Sequence, residues 1–253
     1  MTPSIVEVRG LTVGWGGEVI LRDLDFTVET GEVFLILGGS GSGKSTLLRH
    51  LIGLARPMKG SIRILAEDAH SPAPGYGPPP FGVLFQSGAL FGSMTLEQNV
   101  SLPLRKWTPL LPQGIRIVAR SKLRLVGLEG FENHLPSEIS GGQRKRAGIA
   151  RALALDPQLL FLDEPSAGLD PATSAELDDL ITTLSSCLGV TMVIVTHELA
   201  SILKIGRSCI LLDGGTKGII ARGNPRELAE RSSDPRVMRY FHPVPVKAGQ
   251  AGS

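Results

Sequence analysis

The sequence predicts an α/β fold: a parallel sheet covered by helices, with an antiparallel β portion near its start and an inserted helical lobe. Three observations predict it. A β-rich run, Glu32 to Leu37, ends in a glycine cluster, and helix formers with an apolar face follow from Lys44 to Leu54. Strand, glycine loop and helix in that order open a phosphate-binding unit. Two further apolar runs, Leu159 to Leu162 and Thr191 to Val195, each follow a helical stretch, as strands buried in a parallel sheet do. Between the two groups of strands, Thr95 to Leu135 is mostly helical in pattern.

In chain order, the first thirty residues alternate apolar and polar, as in Ile5-Val6-Glu7-Val8 and Asp25-Phe26-Thr27-Val28, with glycine turns between. They are expected as short antiparallel strands. Ser61 to Leu65 is a further strand. Glu67 to Phe81 contains the proline-rich stretch Pro72 to Pro80, which can continue neither a helix nor a central strand. It is expected as a surface connection, with an extended ligand for a partner domain as the other reading. Phe81 to Phe85 reads as a buried strand, and the lobe from Thr95 is interrupted at Pro103, Pro109 and Pro112. Arg144 to Leu155 is a helical run, Ile210 to Ala221 suggests a late hairpin, and Pro225 to Tyr240 one or two terminal helices.

The 253 residues suggest one large domain or a domain with a lobe. With 26 Lys+Arg against 24 Asp+Glu the formal charge is +2, which gives no broad electrostatic reason to bind nucleic acid. An apolar content of 42% is enough for a sizeable core. The longest purely apolar run, Val33 to Leu37, is far short of the ~20 residues that span a bilayer. Met1 to Gly10 lacks the basic-then-apolar pattern of a secretory signal. The two cysteines, Cys187 and Cys209, form no CxxC, which argues against a disulfide scaffold or zinc site and fits a reducing cytosol.

Gly38-Gly39-Ser40-Gly41-Ser42-Gly43-Lys44-Ser45, with Thr46 next, matches GxxxxGK[ST] between a strand and a helix. Its backbone N–H groups can curl around phosphates, aided by the helix dipole. Lys44 is expected on the β- and γ-phosphates and the Ser45 hydroxyl on Mg²⁺. Asp163 and Glu164 end an apolar strand: Asp163 is placed to hold magnesium through its water shell, and Glu164 to orient and deprotonate a water. His197 follows the strand Thr191 to Thr196, at the sheet edge where ligands bind, and is read as a phosphate contact. Gln86 also ends a strand, and its amide could reach Mg²⁺ or water. Ser140-Gly141-Gly142-Gln143 precedes the helical run from Arg144 and offers a second helix N-terminus to an anion. One nucleotide site does not need two such cradles in one chain, whereas two sites shared across a dimer would use both.

Over residues 4 to 241 this order of motifs resembles the nucleotide-binding subunit of ATP-binding-cassette (ABC) transporters. Ser140 to Gln143 matches the family signature, with Ile139 where Leu is usual. Ser166-Ala167-Gly168-Leu169-Asp170 matches its D-loop, Gln86 its Q-loop and His197 its H-loop. The resemblance implies a P-loop NTPase (RecA-like) core with an antiparallel β subdomain and a helical subdomain over about 93–158, then a tail over 242–253. It implies ATP and Mg²⁺ as cofactors and a head-to-tail homodimer, with ATP between one phosphate loop and the partner's signature. Trp15 stands where the family places an aromatic on adenine, unless it is simply a half-exposed strand residue.

A narrower resemblance rests on Phe85-Gln86-Ser87-Gly88-Ala89-Leu90-Phe91, Met94-Thr95, Asn99-Val100, Arg144-Lys145-Arg146 and Ser233-Asp234-Pro235-Arg236-Val237 with Tyr240-Phe241. These are similar to the ATPases of bacterial Mce-associated lipid transport, the Mla group included. The stretch Pro72 to Pro80 departs from that pattern, and Gln143 replaces the group's common Met. The implied activity is ATP hydrolysis driving phospholipid-type transport through a separate permease, with an Mce-domain partner, at the cytoplasmic face of the inner membrane. The rival readings are a small-solute importer ATPase, for amino acids for example, and a soluble mechanical ATPase.

Overall fold

The computed structural model describes residues 3–69 and 77–243. The N-terminal alternation forms two long strands, β1 (Ser4–Trp15) and β2 (Glu18–Glu29), paired antiparallel. Val6, Val8, Leu11 and Val13 of β1 are buried while Arg9 is exposed. The strands β4 (Lys59–Ile64) and the two-residue β5 (Glu67–Asp68) complete a four-stranded sheet in the order β2-β1-β4-β5. Most of the expected proline-rich loop, His70 to Tyr76, lies outside the described residues.

The second sheet comprises β3 (Val33–Gly38), β6 (Phe81–Leu84), β7 (Leu159–Asp163), β8 (Thr191–Val195), β9 (Ser208–Asp213) and β10 (Gly218–Gly223). Its order is β10-β9-β3-β8-β7-β6. Every pairing is parallel except β10 on β9, the expected late hairpin. Both faces are covered, which is why its central strands are apolar without alternation. Phe34 and Ile36 of β3 pack with Leu47, Leu48 and Leu51 of α1 (Lys44–Leu51) and with the antiparallel sheet. Val33, Leu35 and Leu37 face the other core. The expectation of a buried strand at Phe81 is corrected: β6 is the edge strand, with Phe81 and Val83 only half-buried. Four apolar residues do not reveal how many neighbours a strand has.

The helices α2 (Leu96–Trp107), α3 (Pro112–Leu125) and α4 (Gly141–Ala152) pack on one another as the lobe. Pro103 was expected to interrupt it and instead lies inside α2. A mid-helix proline costs ~3 kcal/mol. Leu96, Val100 and Leu104 are buried on one face, at roughly 1.5–3 kcal/mol each, and outweigh it. Thr95 and Gln98 add a reciprocal capping box at the N-terminus. Asn99, fully buried, holds the preceding turn: Oδ1 accepts from the Phe91 N–H at 2.8 Å, and Nδ2 donates to the carbonyls of Phe91, Met94 and Thr95. Phe91, 55% exposed, is thereby displayed at the surface, whereas Leu96 is core.

Beyond β7 come α5 (Pro171–Leu188), α6 (Leu199–Ile205) and two terminal helices, α7 (Pro225–Arg231) and α8 (Pro235–Phe241). Asn224 and Asp234 cap the last two. No described helix is long and apolar enough to cross a membrane.

Parallel registration sets the functional edge. Leu84 of β6 pairs with Leu162 of β7, Asp163 of β7 with Val195 of β8, and Ile36 of β3 with the same Val195. Four C-terminal strand ends therefore open on one edge, and the segments carrying Gln86, Glu164, His197 and the Gly38–Lys44 loop all start there.

Candidate nucleotide site

The helix α1 begins at Lys44, and its N-cap, Gly43 (φ 94°), provides no side-chain cap. The first N–H groups of a helix have no intrahelical acceptor, so an uncapped N-terminus presents them to an anion. Gly39, Ser40, Gly41 and Ser45 are exposed, Thr46 is half-buried, and Gly38 and Ser42 are buried. The Lys44 ammonium donates to the Gly38 and Gly39 carbonyls, at 2.8 and 2.9 Å. Burial lowers its pKa, and the charges of Glu164 and Asp163 oppose that shift.

Asp163 and Glu164 meet this loop from the end of β7. Burial, then the charge of Glu164, raises the Asp163 pKa; Arg49, Lys145 and Lys44 pull it down. Its Oδ1 is buried with no hydrogen-bond partner among the described residues. A buried carboxylate oxygen normally has one, so this atom fits a hydrated cation, with the exposed Ser45 hydroxyl as a second oxygen donor of the kind Mg²⁺ takes. Glu164 has a left-handed backbone (φ 48°), a conformation that costs a non-glycine residue ~1–3 kcal/mol and marks functional sites. Its N–H donates to the Val195 carbonyl at 2.8 Å. Its Oε1 lies 2.8 Å from Nδ1 of His197, whose ring is otherwise exposed.

Trp15, 49% exposed at the end of β1, lines a cleft of about 310 Å³ together with Arg49, Ile52, Phe85 and Asp163. The stacking candidate and the metal candidate thus share one cleft. A larger cleft, about 440 Å³ between Arg9, Phe26, Glu32 and Arg222, contains none of the candidate residues.

The signature is arranged differently from the expected open cradle. Ser140 caps α4 by accepting from the Gln143 N–H at 3.2 Å, and Gln143 Oε1 accepts from the Ser140 N–H at 2.9 Å. Gly142 has a packing reason as well as an electrostatic one: a Cβ there would sit 2.4 Å from Cγ2 of Thr173. Asp170 is spent as the cap of α5, accepting from the N–H groups of Ala172 and Thr173 and from the Thr173 hydroxyl. That last bond leads the effects that lower its pKa. Among the described residues no hydrogen bond or ion pair joins Ser140–Gln143 or Asp170 to the phosphate loop. One chain therefore assembles Lys44, Asp163, Glu164 and His197 without a bond from Ser140–Gln143 or from the Asp170 end of the D-loop to the phosphate loop among the described residues. The start of the D-loop is tied to the group by the Ala167 N–H, which donates to the Glu164 carbonyl at 3.2 Å.

Sequence reasoning passed over Lys145, which is only 6% exposed. Its ammonium donates to the carbonyls of Gln86 and Glu164 at 2.5 and 2.9 Å. The signal was present, since Gly148, Ile149 and Ala152 follow it at helical spacings of three, four and seven and place it on the inward face. The exposed Gln86 is thus held by its backbone, leaving its amide free of the fold's own hydrogen bonds among the described residues.

A parallel sheet with a GxxxxGK[ST] loop leaving β3 and a carboxylate pair leaving β7 defines a P-loop NTPase fold. The family model described as ABC transporter matches residues 21–167, and the chain belongs to that family. It is 44% identical over 240 residues to the Mycobacterium bovis protein named "Probable ribonucleotide transport ATP-binding protein mkl", covering 94% of this chain and 66% of that one. It is 39% identical over 253 residues to "Intermembrane phospholipid transport system ATP-binding protein MlaF" of Escherichia coli, covering 96% and 93%. Among solved structures it is similar to the dimeric, post-hydrolysis ATP-binding cassette MJ0796 bound to ADP and Pi. There the TM-score is 0.75 at 30% identity, covering 87% of this chain and 98% of that one.

Proposed function

We propose that the chain is the ATP-hydrolysing subunit of an ABC transporter, working as a homodimer on the cytoplasmic side of a membrane permease. The observation that carries this is the shared strand edge, which puts an uncapped helix N-terminus, Lys44, the orphaned Asp163 oxygen and the Glu164–His197 pair at one place. Residues 4–241 form the ATP-binding unit, with about 93–158 as its helical part. Bound Mg²⁺ supplies charge neutralisation on the β- and γ-phosphates, held by Ser45, Asp163 through water, and the Gln86 amide. The loop from Gly38 to Thr46 grips the phosphates, and Trp15 takes the adenine.

Glu164 Oε1 is engaged by His197, so Oε2 accepts the proton of the attacking water. The water oxygen bonds to the γ-phosphorus, the bond to the bridging oxygen breaks, and its electron pair leaves on ADP. With Nδ1–H donated to Glu164, a neutral His197 has only an acceptor at Nε2. A ring N–H of His197 therefore reaches the γ-phosphate once the side chain turns away from Glu164.

The lack of any hydrogen bond or ion pair between Ser140–Gln143 and the loop among the described residues supports sites shared between two subunits, as does the dimeric cassette MJ0796. Mixed dimers of Lys44→Ala and Ser140→Arg subunits are expected to regain one working site, where either variant alone has none. ATPase assays of heterodimers shown to form decide it; no recovery in any mixture refutes the trans arrangement.

The transported class we assign is phospholipid-type lipid, with an Mce-domain partner, on the similarity to MlaF across 96% of the chain. The name of the relative that is 44% identical supports a second reading, a solute transporter. An adjacent Mce-domain gene favours the first, an adjacent soluble receptor gene the second. Phe91 and the half-buried Met94, beside the Gln86 segment, are placed to receive a cytoplasmic helix of the permease, as an exposed apolar patch rimmed by polar residues does. Replacing both with Asp is expected to leave ATP binding intact and to abolish co-purification with the permease. Association at unchanged stoichiometry puts the docking surface elsewhere.

A further inference from the structure

Helix α4 does more than present the signature. One face of it carries the backbone that follows β6. Arg151 donates to the carbonyls of Gly88 and Ala89 at 3.1 and 2.7 Å, and Lys145 to that of Gln86 at 2.5 Å. Between them Gly148 permits the approach: a Cβ there would lie 2.5 Å from Cδ1 of Leu84 and 3.3 Å from the Gly88 carbonyl oxygen. Residues 145, 148 and 151 stand on consecutive turns of one helix face, so Gln86 to Ala89 rides on the helix that bears Ser140 and Gly141.

Lys145 has a second acceptor, the carbonyl of Glu164. The Glu164 peptide is thus pinned at both ends, its N–H by the Val195 carbonyl and its C=O by the Lys145 ammonium at 2.9 Å together with the longer bond from the Ala167 N–H at 3.2 Å. Left-handed backbone at a non-glycine residue persists only where its surroundings over-determine it, and these three bonds do so here, with Lys145 the one that comes from α4. A buried ammonium between two carbonyls is costly unless both hydrogen bonds are made, so a shift of α4 draws on both carbonyls together.

We infer that Lys145 is a positioning residue, tying the signature helix and the Gln86 segment to the backbone of Glu164, so that movement of the lobe sets the aim of the Glu164 carboxylate. This rests on the proposed roles of Gln86 and Glu164. The full chain is assayed where the unaltered chain hydrolyses ATP, beside Lys145→Met, Lys145→Arg and Glu164→Gln. Lys145→Met is expected to lower kcat about 100-fold, the scale of a 1 Å misplacement, with the half-saturating ATP concentration changed less than about 3-fold. Lys145→Arg, which keeps donors for both carbonyls, restores most of the turnover.

A second readout is independent of turnover. ATP is expected to change hydrogen exchange of the amides of residues 86–90 in the unaltered chain and in Lys145→Arg, and not in Lys145→Met. Should Lys145→Met fail to fold, Lys145→Gln, whose shorter side chain cannot span both carbonyls, is read the same way. Turnover within a few-fold of the unaltered chain, or ATP affinity falling in step with kcat, overturns the inference. If Glu164→Gln itself retains turnover, the underlying site reading fails instead.

Discussion

Glu164→Gln is expected to bind ATP like the unaltered chain and to hydrolyse it at least ~100-fold more slowly, within the range a general base contributes. The substitution keeps the size of the side chain and, through its amide oxygen, an acceptor for Nδ1 of His197, now 2.8 Å from Oε1. The main-chain bond from the Glu164 N–H to Val195 is untouched. What is lost is a basic oxygen at Oε2 for the proton of the attacking water. The neutral amide also removes the like charge that helps raise the Asp163 pKa, so metal and nucleotide binding do not suffer. The variant should accumulate as an ATP-bound closed dimer, seen as an ATP-dependent shift in size-exclusion chromatography. Turnover within a few-fold of the unaltered chain would show that Glu164 is not the base.

Lys44→Ala is expected to weaken nucleotide binding itself. In the structure its ammonium rests on the Gly38 and Gly39 carbonyls, bonds that the proposed role would have it exchange for phosphate oxygens. Truncating one partner of a desolvated, hydrogen-bonded charge pair costs about 2–5 kcal/mol, which is ~30-fold to several thousand-fold in Kd. Water can replace the lysine at the exposed Gly39, whereas the carbonyl of the buried Gly38 loses this donor, so the fold is checked together with binding. A nucleotide titration of a variant with an unchanged circular dichroism spectrum tests this, and near-normal affinity would move the phosphate site away from Lys44.

Most of the chemistry was legible because it is local. Eight consecutive residues, Gly38 to Ser45, specify a glycine loop running into an uncapped helix N-terminus, and an apolar run ending in Asp163-Glu164 specifies a buried strand meeting polar surroundings. The late hairpin and the terminal helices were legible for the same reason, since turns and caps such as Asn224 and Asp234 act within a few residues.

What tertiary structure alone decided is everything that depends on partners far apart in the chain. Pro103 looked like a break, yet burial of Leu96, Val100 and Leu104 holds α2 through it. Gly142 read as a phosphate cradle and also turns out to be the point where α4 touches Thr173. Lys145 entered only as part of the Arg144-Lys145-Arg146 resemblance, with no role, and it is the buried link between Gln86 and Glu164. Local sequence determined which groups could do the chemistry. Their meeting at one edge came from the parallel register of β3, β6, β7 and β8, because those strands are separated by long stretches of chain and only their buried faces and shared hydrogen bonds set their alignment.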